Sequence, residues 1–244
     1  MRRIVAILAL VASSALAQND AGLVWAALYP GTCASNAVHN IANTGIVGNT
    51  RGPIQNLNRG IASNSTATAA WIGAGTNVYP VQGAGELTLS VWLKAVGTLP
   101  STGIIGNQFS TGTTGTYYFT SVTGTRLTFY AQSFATNYVG FDKANLPNLV
   151  TSNWVHLAAT WVGARTNTQL WINGENMTAT TTRVGTNITS LQPCDNELRV
   201  GAYANGVNSF INSGRSLTMA RIYNRALGTN EIKELYLRER AMLP

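Results

Sequence analysis

Alternating apolar and polar positions run through the second half of the chain and predict β-strands. In the clearest case, residues 87–94, every second side chain from Leu87 to Leu93 is apolar, so one face is suited to burial. Thr123-Gly124 separates two further alternating runs and predicts a hairpin between them. The arms of this hairpin are residues 116–122 and 125–132. Four more predicted strands follow at short intervals: 153–162, 168–173, 197–203 and 217–224. Short strands divided by turns are typical of sandwiches, which bury alternate side chains between two sheets.

Two local signals near the C-terminus refine this picture. Asn173-Gly174 supplies the positive backbone angles of a type I′ turn. From Thr229, the expected N-cap, the period changes to that of a helix, with Ile232, Leu235 and Tyr236 on one stripe. We expect this helix to cap the edge of the sandwich. The predicted fold is all-β: a two-sheet antiparallel jelly-roll sandwich with a short C-terminal helix.

Composition excludes several other classes of protein. Only 10% of the 244 residues are charged and 45% are hydrophobic, which argues against an intrinsically disordered chain and against a coiled coil. The 16 basic and 9 acidic residues give a formal charge of +7, and arginines concentrate late in the chain. Such a charge could attract nucleic acid, but the secretion signal described next argues against that partner. Acidic polysaccharide or a negatively charged cell surface fits better.

The first 17 residues have the pattern of a secretory signal peptide. Met1-Arg2-Arg3 is followed by a short apolar run and then by Ala15-Leu16-Ala17, an A-x-A cleavage site. We therefore expect a signal peptide over residues 1–17 and one mature domain over residues 18–244. The predicted location is extracellular, with the periplasm or the cell surface as alternatives, and no apolar run is long enough for a transmembrane segment.

The mature chain contains two cysteines, Cys33 and Cys194. An oxidising compartment would permit them to pair, and we predict a disulfide between them. Two separately buried thiols are the alternative, because a sequence does not establish that two residues are close.

Several segments carry a resemblance to a known family. Asn153-Trp154-Val155-His156-Leu157-Ala158-Ala159-Thr160-Trp161, with Gln169-Leu170-Trp171-Ile172-Asn173-Gly174, resembles a strand pair of laminin G-like domains in the concanavalin A-like lectin/glucanase superfamily. Three more segments are similar to later or earlier strands of that family, in the same order: Leu87 to Lys94, Leu198-Arg199-Val200-Gly201 and Ala220-Arg221-Ile222-Tyr223-Asn224. The resemblance covers residues 86–236 and implies a jelly-roll recognition domain.

Departures from the family bear on metal binding. Many relatives have an acidic residue just before the last strand, whereas this chain has Ser216-Leu217-Thr218 there, and a second acid is absent around Ser35 and Asn36. Calcium prefers carboxylate oxygens, so a family-type calcium site is doubtful and no cofactor is expected to be required. A calcium site built from Asn side chains and carbonyl groups is the alternative, and the metal content is unknown.

Catalytic signals are weak. The E-x-D-x-x-E strand of related glucanases is missing, and Asp195 and Glu197 are better explained by turn chemistry and by pairing with Arg199. His156 lies on a predicted strand with no nucleophile or carboxylate beside it in sequence, so it is interpreted as a structural residue. We therefore predict no catalytic residues.

The favoured function is a secreted, non-catalytic module that binds carbohydrate or a cell-surface glycan through loops at the rim of the sandwich. Aromatic rings stack on sugar faces and Asn side chains bond hydroxyl groups. The candidate ligand-binding residues combine these two types: Trp71, Asn77, Tyr79, Tyr138, Tyr203, Asn205 and Asn208. Ordinary packing is the alternative for each of them. Two other functions are weighed: a structural or adhesive surface protein that binds another protein, and a polysaccharide-active hydrolase or lyase.

Overall fold

A computed structural model describes the backbone of fifteen stretches of the chain: residues 23–29, 32–33, 42–44, 49–50, 60–62, 71–73, 84–95, 102–107, 117–122, 126–134, 137–143, 153–177, 182–191, 199–201 and 215–243. Side chains are described over a narrower set: residues 84–94, 103–107, 127–131, 139–140, 153–177, 185–191, 201 and 217–243. The predicted signal peptide lies outside these ranges, and the expectation of one mature domain stays a prediction.

The described strands form two antiparallel sheets, as the sequence predicted. The strands are β1 Leu23–Tyr29, β2 Thr32–Cys33, β3 Ala42–Thr44, β4 Asn49–Thr50, β5 Gly60–Ala62, β6 Trp71–Gly73, β7 Glu86–Ala95, β8 Thr102–Gly106, β9 Tyr117–Val122, β10 Arg126–Phe134, β11 Asn137–Lys143, β12 Trp154–Val162, β13 Ala164–Ile172, β14 Glu175–Asn176, β15 Thr182–Gly185, β16 Arg199–Val200 and β17 Arg215–Tyr223. The first sheet has the order β14-β13-β12-β7-β17-β1-β2, and in it β5 also pairs with β17 and β4 with β5. The second has the order β15-β11-β10-β9-β8-β16-β6-β3.

The main hydrophobic core lies between the two sheets. Alternate side chains of β7 and β12 point into it, as the two-residue period of a strand requires. The second sheet contributes residues such as Leu127, Phe129 and Val139, and all three are fully buried. This arrangement is the two-sheet jelly-roll sandwich that the alternating pattern predicted.

The strand pair β12–β13 differs from the prediction at one end and agrees at the other. The second strand begins at Ala164, not at residue 168, because Gly163 alone reverses the chain with a φ of 54°. Three of the four added residues, Arg165 to Asn167, are polar, and the four carry no alternating signal, which is why the pattern missed them. At the far end, Asn173 (φ 52°) and Gly174 (φ 77°) form the predicted positive-φ turn into β14.

A β-bulge in β17 changes which side chains face outward. The pairing with β7 shifts between Thr218 and Arg221, and Met219 has a φ of 50°. Leu217 and Ala220 both contribute to the core between the sheets, although an even strand would place them on opposite faces. Because of the extra residue, Arg221 and Tyr223 lie on the outer face of the sheet, like Met219.

Helix α1 (Thr229–Arg240) covers the outer face of the first sheet, and not its edge as the sequence suggested. Its buried residues Ile232 and Leu235 pack with Ala158, Trp171 and Tyr223, which come from three different strands. The expected N-cap was also wrong: the helix is capped at Gly228, and Thr229 is its first residue. The Gly228 N–H donates to the Glu231 side chain at 2.9 Å, which replaces the missing side-chain cap.

Candidate functional site

A buried carboxylate fastens α1 to the sheet. Glu239 has no exposed surface, and its two oxygens accept from two strands. Arg221 Nε donates to Oε1 at 2.6 Å, and Trp92 Nε1 donates to Oε2 at 2.6 Å. Burial raises the pKa of Glu239, while the guanidinium of Arg221 acts in the opposite direction. The network joins β7, β17 and the end of the helix through charge-assisted hydrogen bonds.

Beside this network lies the pair Ser90 and His156. Ser90 Oγ is 2.9 Å from His156 Nε2, which is the distance that a nucleophile and its base would need. Both residues are fully buried, and the imidazole packs against the rings of Trp92 and Tyr236, at centroid distances of 5.2 and 5.9 Å. Burial, together with the smaller effect of the positive charge on Arg221, lowers the pKa of His156 to about 3. The imidazole is therefore neutral and shielded from any substrate.

The segment that leads into α1 is tied to β7 and to the helix itself. Arg225 donates from both terminal nitrogens to Glu231, at 2.8 and 2.6 Å. This pair lowers the pKa of Glu231 and raises that of Arg225. Thr88 Oγ1 donates to the carbonyl of Arg225 at 2.7 Å and accepts from the Leu227 N–H at 2.9 Å. The start of the helix is thereby held over the sheet.

A groove of about 660 Å³ opens between the β13–β14 turn and α1. One wall is the turn, and the other is the helix face that carries Lys233, Tyr236 and Leu237. Leu237 is exposed by 55% and borders the groove. Small-molecule sites in proteins occupy about 300–1,000 Å³, so this groove has the size of a ligand site.

The turn that forms the groove is held firmly by the sheet. Asn173 Oδ1 accepts from the His156 N–H at 2.9 Å, and the Asn173 N–H donates to the His156 carbonyl at 2.9 Å. Gly174 lies directly against the Tyr236 ring, where an added Cβ would be 3.0 Å from Cδ1. Tyr236 also stacks on Trp92, with centroids 5.6 Å apart. The groove is thus pre-formed by packing and hydrogen bonds.

Several polar groups around the groove have no protein partner within the described part of the chain. The side chains of Glu175 and Lys233 are exposed and form neither an ion pair nor a hydrogen bond with any described group. Trp171 is almost fully buried in the wall, and its indole N–H finds no acceptor among the described residues. Buried N–H groups normally have a partner, so this one is an exception that requires an explanation.

Of the seven predicted ligand-binding residues, two have a described backbone and none has a described side chain. Trp71 lies in strand β6 and pairs with Thr44 through the backbone, so it is not in a rim loop as expected. Tyr138 lies in β11, opposite Gln132. The side chains of both are outside the described residues, as are the other five members of the set: Asn77, Tyr79, Tyr203, Asn205 and Asn208.

Most residues of the predicted disulfide and of the acidic pair lie outside the described ranges. Cys33 ends β2, and Cys194 lies outside the described residues, as do Asp195 and Glu197. No disulfide is present within the ranges that are described, and the pairing of the two cysteines stays a prediction. In those same ranges, no three His, Cys, Asp or Glu side chains converge in a way that could hold a metal ion. None of the described helices is both long enough and apolar enough to cross a membrane.

Sequence reasoning missed the groove altogether. Its two walls are separated by more than fifty residues along the chain, and they meet only because α1 lies over the outer face of the sheet. The one usable signal was Asn173-Gly174, which correctly predicted the turn but not what would pack against it.

Comparison with known families agrees with this architecture. A laminin G-type family model, described as the concanavalin A-like lectin/glucanases superfamily, matches residues 61–233, well over half of the chain. The chain belongs to this superfamily. The family resemblance predicted from the strand motifs is therefore confirmed. A search of curated protein sequences gave no significant match.

Solved structures share the superfamily fold at low sequence identity. The binding domain of botulinum neurotoxin serotype D is 15% identical with a TM-score of 0.64, over 92% of this chain and 53% of that one. The binding domain of Paraclostridial Mosquitocidal Protein 1 is 14% identical with a TM-score of 0.64, over 91% and 53%.

A third structure concerns botulinum neurotoxin type C, whose cell entry is described as dependent upon interaction with two ganglioside molecules. It is 14% identical with a TM-score of 0.60, over 90% of this chain and 52% of that one. This chain thus spans about half the length of the toxin structures that it resembles. At such identities the likeness shows a common fold.

Proposed function

We propose that this protein is a secreted, non-catalytic recognition module that binds carbohydrate. The observation that carries the proposal is the state of the Ser90–His156 pair. Among the described residues, Ser90 and His156 are a potential nucleophile and base within hydrogen-bond distance of each other. Both are fully buried under α1. With a pKa lowered to about 3, the imidazole is a weak base that does not become imidazolium at neutral pH, so it is poorly suited to general acid–base catalysis. The pair has a structural role in the attachment of the helix.

The choice between a binding module and a glycan-active enzyme also rests on how the described carboxylates are used. Glu239 accepts from Arg221 and Trp92, and Glu231 is paired with Arg225. Glu86 accepts from the Ala226 N–H at 3.0 Å. These three carboxylates fasten the helix and its connection to the sheet. Of the described carboxylates only Glu175 lines the groove, whereas a glycosidase needs two that face a substrate.

Carbohydrate is the ligand class that the family supports best, because its superfamily is named for lectins and for glucanases. The toxin structure described with ganglioside interaction has the same fold, and gangliosides carry sugar head groups. The residues predicted from the sequence remain candidate contacts, since aromatic rings and amides suit sugars: Trp71, Asn77, Tyr79, Tyr138, Tyr203, Asn205 and Asn208. The secreted location rests on the signal peptide predicted at residues 1–17.

A glycan array tests the proposal directly. The purified protein is applied to neutral and acidic glycans in buffer with calcium and, separately, with a chelator, and heat-unfolded protein is the control. We expect saturable binding that the chelator does not remove, because no cofactor is expected to be required. Binding lost in chelator would overturn the cofactor-free part of the proposal. If no glycan is bound, the carbohydrate function is wrong and a protein partner becomes the better hypothesis.

The location has its own test. When the full chain is expressed in a secreting host, we expect protein in the medium whose N-terminal residue is Gln18. Retention of the first 17 residues would contradict the predicted signal peptide.

A further inference from the structure

We infer that the groove between the β13–β14 turn and helix α1 is itself a sugar-binding site, and that its ligand is an uncharged pyranose at the end of a glycan. This inference rests on the proposed function and gives it a location outside the predicted set of rim residues. The groove is about 660 Å³ in volume and is pre-formed, so a ligand would not have to open it.

The polar groups of the groove favour an uncharged ligand. Glu175 accepts hydrogen bonds and Lys233 donates them, and neither has a described partner of its own. Their charges have opposite sign and cancel. An anionic ligand would be attracted by Lys233 but repelled by Glu175, so the site gives no net preference for a charged ligand. A sugar hydroxyl both donates and accepts, and therefore suits a site that offers one charged acceptor and one charged donor.

The apolar part of the groove fits the same ligand. Tyr236 is only partly buried, and its position is fixed by contact with Gly174 and by stacking on Trp92. The faces of pyranose rings carry C–H groups that pack on aromatic rings. A fatty ligand is less suitable, because Asn173, Glu175 and Lys233 would lose water without gaining partners.

The indole of Trp171 forms part of the same wall. Its N–H is buried, has almost no accessible surface and has no acceptor among the described residues, as is also true of the Trp161 indole in the core. A ligand in the pre-formed groove therefore does not bond this N–H directly, but it changes the surroundings of the ring and so the position of its NMR signal.

The experiment measures binding at the groove by two-dimensional NMR of the ¹⁵N-labelled full chain. The probes are glucose, galactose, mannose, N-acetylglucosamine and lactose, with glucuronic acid and sialyllactose as acidic comparators. The Trp171 indole signal is assigned by its loss in Trp171→Phe. We expect a neutral sugar to shift this signal together with backbone amides of residues 172–177 and 233–237.

Two variants with exposed side chains test the contacts without disturbing the fold. Glu175→Gln and Lys233→Met are each expected to weaken binding of the neutral sugar by about tenfold, which corresponds to one lost hydrogen bond to a charged group. Glu234→Gln is the matched control: it makes the same chemical change on an exposed helix position outside the groove, and affinity should stay unchanged.

The outcomes separate this inference from the proposed function. If the array is positive but shifts map elsewhere and both variants bind normally, the groove inference is overturned and the proposed function stands. If only acidic sugars bind in the groove, or Glu175→Gln strengthens binding, the inferred ligand class is wrong. If no sugar binds on the array or in solution, both proposals fail.

Discussion

Arg221 and Glu239 form a buried ion pair, 2.6 Å between Nε and Oε1, that joins the last strand of the sandwich to the end of helix α1. The pair exists because the bulge at Met219 turns Arg221 to the outer face of the sheet. Trp92 completes it by donating to the second carboxylate oxygen. Since Tyr236 on the same helix forms a wall of the groove, the ion pair also positions the candidate site.

Removal of one partner of this pair should be costly. In Glu239→Ala, the buried guanidinium of Arg221 and the Trp92 N–H lose their acceptor, and we expect the free energy of unfolding to fall by about 3–5 kcal/mol. The measurement is urea denaturation followed by circular dichroism. The double variant Arg221→Met/Glu239→Leu removes both charges and should recover most of the loss.

Glu234→Ala controls for the substitution of a glutamate in the same helix. Glu234 is exposed, and the expected change is within about 0.5 kcal/mol. A loss below about 1 kcal/mol in Glu239→Ala would contradict a helix that is fastened through this carboxylate.

His156 should make the fold sensitive to acid. Its pKa is lowered from 6.5 to about 3 in the folded chain, so between these values the unfolded chain binds a proton that the folded chain does not. Stability contributed by the neutral imidazole is therefore fully present above the unfolded pKa of 6.5 and is lost as the pH falls toward 3. The slope is at most about 1.4 kcal/mol per pH unit.

The variant His156→Gln isolates this contribution. Unfolding free energies of the two proteins are measured from pH 7.5 to 5, and contributions from groups that the two proteins share cancel in the difference. We expect the difference between the two proteins to narrow as the pH falls. Parallel curves would mean that His156 binds protons equally in the folded and unfolded chains, which contradicts the lowered pKa.

The strands and the Asn173-Gly174 turn could be predicted because they depend on local signals. Alternation along residues 87–94 indicates which face enters the core between the sheets, although α1 buries the other face as well, and Asn-Gly favours positive φ whatever surrounds it. The outward direction of Arg221 could not be predicted, since a bulge shifts the alternation without a marker in the sequence. From the sequence alone, Glu239 is predicted to lie on the solvated face of the helix. Its burial depends on how the helix packs on the sheet, which no local pattern indicates.

Cys33 and Cys194 remain predicted to form a disulfide. Protein purified from an oxidising compartment should show no free thiol when unfolded without reductant, because both cysteines are then oxidised. A closed loop of this length would contribute about 5 kcal/mol in the chain-entropy model, so reduction should lower the unfolding free energy clearly. Two titratable thiols in the unreduced protein would show that the cysteines are separate.

Gly174 is the position where the turn and the helix press together. Its φ of 77° disfavours any side chain, and a Cβ there would be 3.0 Å from Cδ1 of Tyr236 and 3.2 Å from its Cβ. Gly163 offers a matched control: its φ is also positive, at 54°, but a Cβ there would meet nothing within 4 Å. Gly163→Ala should therefore cost only the backbone strain of about 1–2 kcal/mol, and Gly174→Ala should cost more, because the Tyr236 ring must also move. Chemical denaturation of both variants gives the comparison, and equal losses would show that the ring yields without cost.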